Sequence, residues 1–244
     1  MTPRIWAVIP AGGRGSRFGS QMPKQYMTIA GQAVLDHVLD VFLHVPDFER
    51  VVVAVPPDDR RFMELYHASN DRVVAIVGGA ERADSVAAGL DWLVSQGASD
   101  TDWVFVHDAA RPLLTVAEIT ALLEAIEASD CPGAVLGVPA ADTLKRTNML
   151  CACPEGADTC IGETVDRTGL WHAMTPQVFP LAALRQALVS ANDAGMVVTD
   201  EAQAMESAGV TPWLVRGRRT NMKLTYAEDI EWMEAVLSHR NGTK

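Results

Sequence analysis

From Pro10 the chain reads Pro-Ala-Gly-Gly-Arg-Gly-Ser-Arg-Phe-Gly, and Met22-Pro-Lys-Gln-Tyr26 follows shortly after. Glycines allow a tight turn and let backbone N–H groups point at an anion. Arg14, Arg17 and Lys24 add three cations to the same short stretch. The backbone of Pro10, Ala11, Gly12, Gly13 and Gly15, together with Arg17 and Lys24, could therefore cradle a triphosphate. Two commoner phosphate motifs fit badly. A dinucleotide fingerprint needs glycine three residues after Gly15, where Phe18 stands, and a Walker loop needs Gly-Lys-Ser/Thr, which is absent. The bland alternative is a strand-to-helix turn with solvated cations.

Three further constellations could do chemistry. Gly78-Gly79 precedes a helical pattern, so a flat base could approach the backbone of Gly79 and Ala80 while the Ser85 hydroxyl bonds it. A helix start with Glu81 and Asp84 complementing the dipole is the competing reading. Asp108, in Val106-His-Asp-Ala-Ala-Arg-Pro112, could approach a nucleotide sugar or a Mg²⁺ ion, an oxygen-seeking cation that bridges phosphates. It could instead be a turn-forming residue, and Arg111 could hold an ion pair within the fold. Cys151, Cys153 and Cys160 with His172 would make a weak zinc set, and reduced thiols in a polar loop are the expectation. The histidines show no arrangement with Ser or Cys suited to nucleophilic catalysis.

These residues need a scaffold, and the apolar pattern describes one. Strand-like runs at 5–9, 51–55, 73–77, 103–106, 134–138 and 213–215 alternate with helical periodicities within 34–42, 85–93, 116–126, 181–188 and 230–237. Continuous β-branched runs suit strands covered on both faces. The expected class is α/β, a doubly wound, mostly parallel sheet with ligands beyond the carboxyl ends of its strands. One domain should span 1–244, with a protruding polar arm at about 140–169, whose flanks Asp142–Arg146 and Glu163–Arg167 read as an extended hairpin. Such a hairpin is not stable alone, so a second subunit is its expected support.

Composition narrows the partners. The formal net charge of −11 repels nucleic acid on average, so an anionic ligand must be held by local cations. No apolar run approaches the roughly 18 residues of a membrane span, and a cytoplasmic protein is expected.

Taken in order, the motifs resemble those of the 2-C-methyl-D-erythritol 4-phosphate cytidylyltransferases, within the sugar-nucleotide nucleotidylyltransferases. The likeness runs from the first loop and Pro23-Lys-Gln-Tyr26 through Gly78–Ser85 and Val106–Pro112. It continues at Thr164-Val-Asp-Arg-x-Gly-Leu-Trp171, Thr175-Pro-Gln177, Thr199-Asp-Glu201 and Asn221-Met-Lys223, over essentially the whole chain. It implies a Rossmann-like nucleotidyltransferase fold, a homodimer with arm-shared sites, and a CTP-using enzyme of the non-mevalonate isoprenoid pathway. It further implies that Asp108 and Ala109 lie beside the ribose and Mg²⁺. Arg17, Lys24, Arg167 and Lys223 would form the catalytic set. Thr143, Arg111, Arg167, Thr175 and Lys223 would contact the sugar-alcohol phosphate. Two departures stand out: Ala80 replaces a frequent acidic residue, and the arm is lengthened through Cys151–Cys160. A ribitol 5-phosphate cytidylyltransferase would share fold and mechanism, and a non-catalytic nucleotide-binding module is the alternative from another class.

Overall fold

A computed structural model of the chain describes residues 2–13, 22–148 and 156–242. The strands are β1 (Ile5–Pro10), β2 (Thr28–Ile29), β3 (Gln32–Ala33), β4 (Phe48–Val55), β5 (Val73–Val77), β6 (Trp103–Val106), β7 (Ala134–Pro139), β8 (Leu144–Asn148), β9 (Cys160–Val165), β10 (Trp171–Pro180) and β11 (Trp213–Arg216). The helices are α1 (Val34–Leu43), α2 (Arg82–Ser95), α3 (Val116–Ile126), α4 (Leu181–Asp193), α5 (Glu201–Ser207) and α6 (Asp229–Gly242). Seven strands form one sheet in the order β11-β7-β10-β6-β1-β4-β5. All neighbours pair in parallel except β10, which runs antiparallel to both β6 and β7.

The pleat sorts each apolar run into two cores. Ala7, Ile9, Val51, Val53 and Phe105 face α1 and α3, where Leu35, Leu39, Phe42, Ile119 and Leu122 cover them. Trp6, Val8, Val52, Val104 and Val106 face α2 and α4, meeting Val86, Leu90, Leu93 and Leu184. Both faces are dry, which is why these strands lack polar alternation. A smaller cluster of Ile29, Val34, Ala110, Leu113, Leu224, Met233 and Leu237 ties α6 to the loops after β6 and β11.

Strand β10 and helix α5 escape the sequence pattern. Thr175, Pro176 and Gln177 interrupt the apolar run of β10, and proline argues against a central strand. The register with β7 shifts between Ala173 and Gln177, around a cis Thr175–Pro176 bond. Buried hydrogen bonds satisfy the polar side chains there: Gln177 Nε2 donates to Asp200 at 2.8 Å, and its Oε1 accepts from the Ala202 amide at 2.8 Å.

The arm is a two-stranded hairpin of β8 and β9, pairing Leu144 with Val165 and Arg146 with Glu163. Its strands start and end inside the expected flanks, so Asp142, Thr143, Asp166 and Arg167 lie at its base. Most of its side chains are exposed, Ile161 at 67%. The reduced-thiol expectation needs correction at Cys160, which is disulfide-bonded. The register pairs Asn148 with Cys160, so the hairpin closes the insertion at that residue, a constraint that spacing rules did not capture. Cys131 is free and buried, and Cys151 and Cys153 lie outside the described residues.

Candidate active site

From β1 the chain winds outward through α1 to β4 and β5, then returns to place β6 on the other side of β1. The β1/β6 boundary is therefore the topological switch point, where an open parallel sheet leaves a crevice. A cleft of about 570 Å³ opens there. After β1 it is lined by Pro10, Ala11, Gly12 and Gly13, with Lys24 and Gln25 beside them. After β5 come Gly79, Ala80, Glu81, Arg82 and Ser85, and after β6 come Asp108, Ala109 and Ala110; Lys223 closes the edge.

Local packing fixes each wall. The Ala11 amide donates to the Ala54 carbonyl at 2.8 Å, and Gln25 Nε2 donates to the Ala11 carbonyl. This second bond holds the three-residue 3₁₀ turn Lys24–Tyr26 against the first loop. Glycine is required at position 79, where a Cβ would stand 2.1 Å from the Asp84 Cβ. The Asp84 carboxylate caps α2, accepting from the Glu81 amide at 3.0 Å. Ser85 is buried, and its hydroxyl donates to the Gly79 carbonyl at 3.4 Å.

Asp108 is the electrostatic centre. Its Oδ1 accepts from Arg82 Nε at 3.1 Å, and Oδ2 lies 3.2 Å from Arg111 Nε and 3.0 Å from Lys223 Nζ. Burial alone would raise its pKa, but Arg82, Lys223 and Arg111 together hold it well below the usual carboxylate range. Arg82 also forks onto Glu201, Nη1 to Oε1 at 2.6 Å and Nη2 to Oε2 at 3.0 Å. For Glu201 burial wins, and its carboxyl is pushed up against the pull of Arg82. Lys24 Nζ donates to the Leu224 carbonyl at 2.9 Å, and the Leu224 amide donates to the Ala110 carbonyl at 2.8 Å. The loops after β1, β6 and β11 are thus stitched into one rim.

His107 is no general base. It is fully buried, its Nδ1 lies 3.0 Å from the Thr175 hydroxyl and its Nε2 3.3 Å from the Arg111 carbonyl. The Arg111 carbonyl can only accept, so Nε2–H donates to it and Nδ1 accepts from the Thr175 hydroxyl, whose Oγ1 also accepts from the Asp108 amide at 3.0 Å. Burial first, and Arg111 second, press the imidazole down to about 3 despite Asp108. A base with a lowered folded pKa binds fewer protons than its unfolded form as pH drops below about 6.5. His107 should therefore cost the metal-free protein about 1.4 kcal/mol per pH unit between pH 6 and 4.5. Urea melts across that range should show the parent chain losing stability more steeply than His107→Gln, with this slope as the difference between them.

The model of the 2-C-methyl-D-erythritol 4-phosphate cytidylyltransferase family matches residues 5–239. The enzyme of that name from Ectopseudomonas mendocina (strain ymp) is 45% identical over 241 residues, 99% of both chains. A crystal structure of a 4-diphosphocytidyl-2C-methyl-D-erythritol synthase superposes with a TM-score of 0.81 at 35% identity, covering 97% of this chain and all of that one. The 2-C-methyl-D-erythritol 4-phosphate cytidylyltransferase of Francisella tularensis gives 0.78 at 32%, covering 94% and 98%.

The chain belongs to this family.

As a family member it gathers one part of the expected site within a single chain and leaves another part apart. Pro10, Ala11, Gly12, Gly13, Lys24, Gly79, Ala80, Ser85, Asp108, Ala109 and Lys223 share the cleft. Gly15 and Arg17, with Arg14, lie outside the described residues. Arg111 takes the ion-pair alternative: besides Asp108, its Nη1 donates to the Asn221 carbonyl at 2.8 Å. Thr175 is 4% exposed and lies beneath the cleft, where its hydroxyl is committed to Asp108 and His107. Thr143 and Arg167 stand exposed at the arm's base, the Arg167 guanidinium donating to the Ala141 carbonyl. His172 is exposed on β10, and among the described residues no group of three or more metal-ligating side chains forms. No helix of the described residues is long and apolar enough to cross a membrane.

Sequence reading missed Arg82, Gln177, Glu201 and Asn221. All four fall within quoted motifs, but their partners are distant in the chain. Asn221 Nδ2, for instance, donates to the Thr175 carbonyl at 2.9 Å, across 46 positions.

Proposed function

We propose that the chain transfers the cytidylyl group of CTP to 2-C-methyl-D-erythritol 4-phosphate, releasing pyrophosphate. The observation that carries this is the convergence of the glycine turn, Lys24, Asp108 and Lys223 on one cleft, in a member of this family. Gly79, Ala80 and Ser85 border the end suited to a base, where backbone groups can read its hydrogen-bonding edge. Gly12, Gly13 and Lys24 border the end suited to phosphates. Arg17 belongs to the same phosphate set through its place in the loop.

The acceptor phosphate is mostly a dianion near neutral pH, its second pKa being about 6. It attacks the α-phosphorus directly: a new P–O bond forms as the bond to the β-phosphate oxygen breaks. Pyrophosphate then leaves with that electron pair. No base need remove a proton, which agrees with His107 being sealed away. What the protein must supply is position and positive charge for two anions that repel each other. Lys223 suits the acceptor phosphate, which would draw its ammonium from Asp108.

Mg²⁺ suits this site. Asp108 stands on the cleft wall with Oδ2 facing the partly exposed Lys223, which an incoming phosphate would draw off, and one carboxylate plus substrate phosphates is a common way of holding this ion. When bound, the ion would neutralise phosphate charge. Arg167 and Thr143, at the arm's base, do not line this chain's own cleft, and most described side chains of the hairpin are exposed. A homodimer in which the arm crosses to the neighbouring cleft accounts for both facts. A turnover series with CTP, UTP, ATP and GTP, each with the methylerythritol and ribitol phosphates, tests the assignment. CTP with methylerythritol phosphate should lead; preference for another pair would overturn it.

A further inference from the structure

Glu201 is 1% exposed and does not line the cleft, yet it grips the one side chain that reaches Asp108 from α2. It opens α5, a helix of seven residues whose position depends on Gln177 and on the cap by Asp200, which accepts from the Gln203 amide at 3.0 Å. Strand β10 thereby sets where the Glu201 carboxylate stands. Its partner Arg82 comes from 119 positions earlier in the chain.

We propose that Glu201 is a positioning residue that acts through Arg82 on Asp108. This rests on the reading of the cleft as a CTP site with a divalent ion at Asp108. A guanidinium facing a lone carboxylate favours the fork-on-fork pairing that covers both oxygens. Here Glu201 takes one N–H from each Nη, an end-on grip that fixes the plane of the guanidinium, and in that orientation the bond to Asp108 is from Nε to Oδ1 alone. The other oxygen faces Arg111 and the Lys223 ammonium. The Lys223 side chain is 40% exposed, so a phosphate can draw its ammonium away and leave Oδ2 facing Arg111 and an incoming cation.

Charge points the same way. Three cations meet Asp108, and Glu201 supplies the second negative charge of the cluster. Without it, an incoming divalent ion would meet one more uncompensated positive charge. A buried ion pair is poor evidence of a stabilising role by itself, whereas groups behind a ligand commonly change metal affinity by about 10–100-fold.

The test uses the full-length protein and measures CTP affinity with EDTA and again with Mn²⁺, by calorimetry. The parent chain should bind CTP more tightly with Mn²⁺. In Glu201→Gln that tightening should fall by about 10-fold or more, while metal-free affinity is kept. Adding Glu201→Gln to Arg82→Gln should change nothing further, as expected of residues that act as one unit. Arg82→Lys, which keeps the charge but loses the fork, should lose the tightening too, and it carries the test if Glu201→Gln fails to fold. An unchanged Mn²⁺ effect in these variants, or equal weakening with and without metal, would overturn the role of Glu201. Absence of CTP binding by the parent chain would overturn the reading of the cleft, and this role with it.

Discussion

Replacing Lys24 with alanine lowers turnover by about 10²–10³-fold, equivalent to ~2.7–4 kcal/mol, while the chain stays folded. The size follows from where the ammonium sits. The turn that carries Lys24 is fastened from below by Gln25 on Ala11 and by the Tyr26 hydroxyl, which donates to Asp59 at 2.9 Å. None of these fastenings uses the Lys24 side chain. What the substitution removes is a preorganised donor beside the glycine turn, including its hydrogen bond to the Leu224 carbonyl. Such a bond contributes about 0.5–1.5 kcal/mol to stability, too little to unfold the chain. Parallel measurement of turnover and of the melting temperature separates the two effects. Turnover near that of the parent chain would remove Lys24 from the mechanism.

The second large effect concerns a pair of dead variants. Arg167→Ala and Lys24→Ala should each be nearly inactive, and mixing them with subunit exchange should restore activity. If an arm serves the neighbouring cleft, each hybrid dimer carries both defects in one site and neither in the other. Random exchange makes about half the dimers hybrid, so about a quarter of the parent activity should return. If Arg167 served its own chain, every site would retain one defect and nothing would be recovered. The exposed Arg167 and the largely exposed β8–β9 hairpin are the structural basis for expecting recovery.

What could be read from sequence was what local rules govern. The parallel strands announced themselves because both faces are buried, so Val51–Val55 and Val104–Val106 needed no polar alternation. The glycine turn was legible because its chemistry is carried by adjacent residues. Gly79 was legible as a small residue that lets a base approach the backbone, and the structure adds that a Cβ there would meet Asp84. Strand β10 was not, because its polar residues look like loop until Asp200, Ala202 and Asp108 arrive from elsewhere to satisfy them. Arg111 and Thr175 show the same limit from the other side. Motif membership marked them as important, but only the folded contacts with Asp108 and His107 give them a place behind the cleft surface. Arg82 and Glu201 lay within motifs, but nothing local told their role, since each owes its geometry to the other.

In this reading the fold gathers positive side chains so that a phosphate monoester can displace pyrophosphate from CTP. Phosphorus NMR of the protein with CTP, Mg²⁺ and 2-C-methyl-D-erythritol 4-phosphate tests it most directly. One pyrophosphate should appear per CTP consumed, with a new diphosphate joining cytidine to the acceptor, and neither should appear when the acceptor is left out. Pyrophosphate released equally without the acceptor, or no diphosphate product with everything present, would contradict it.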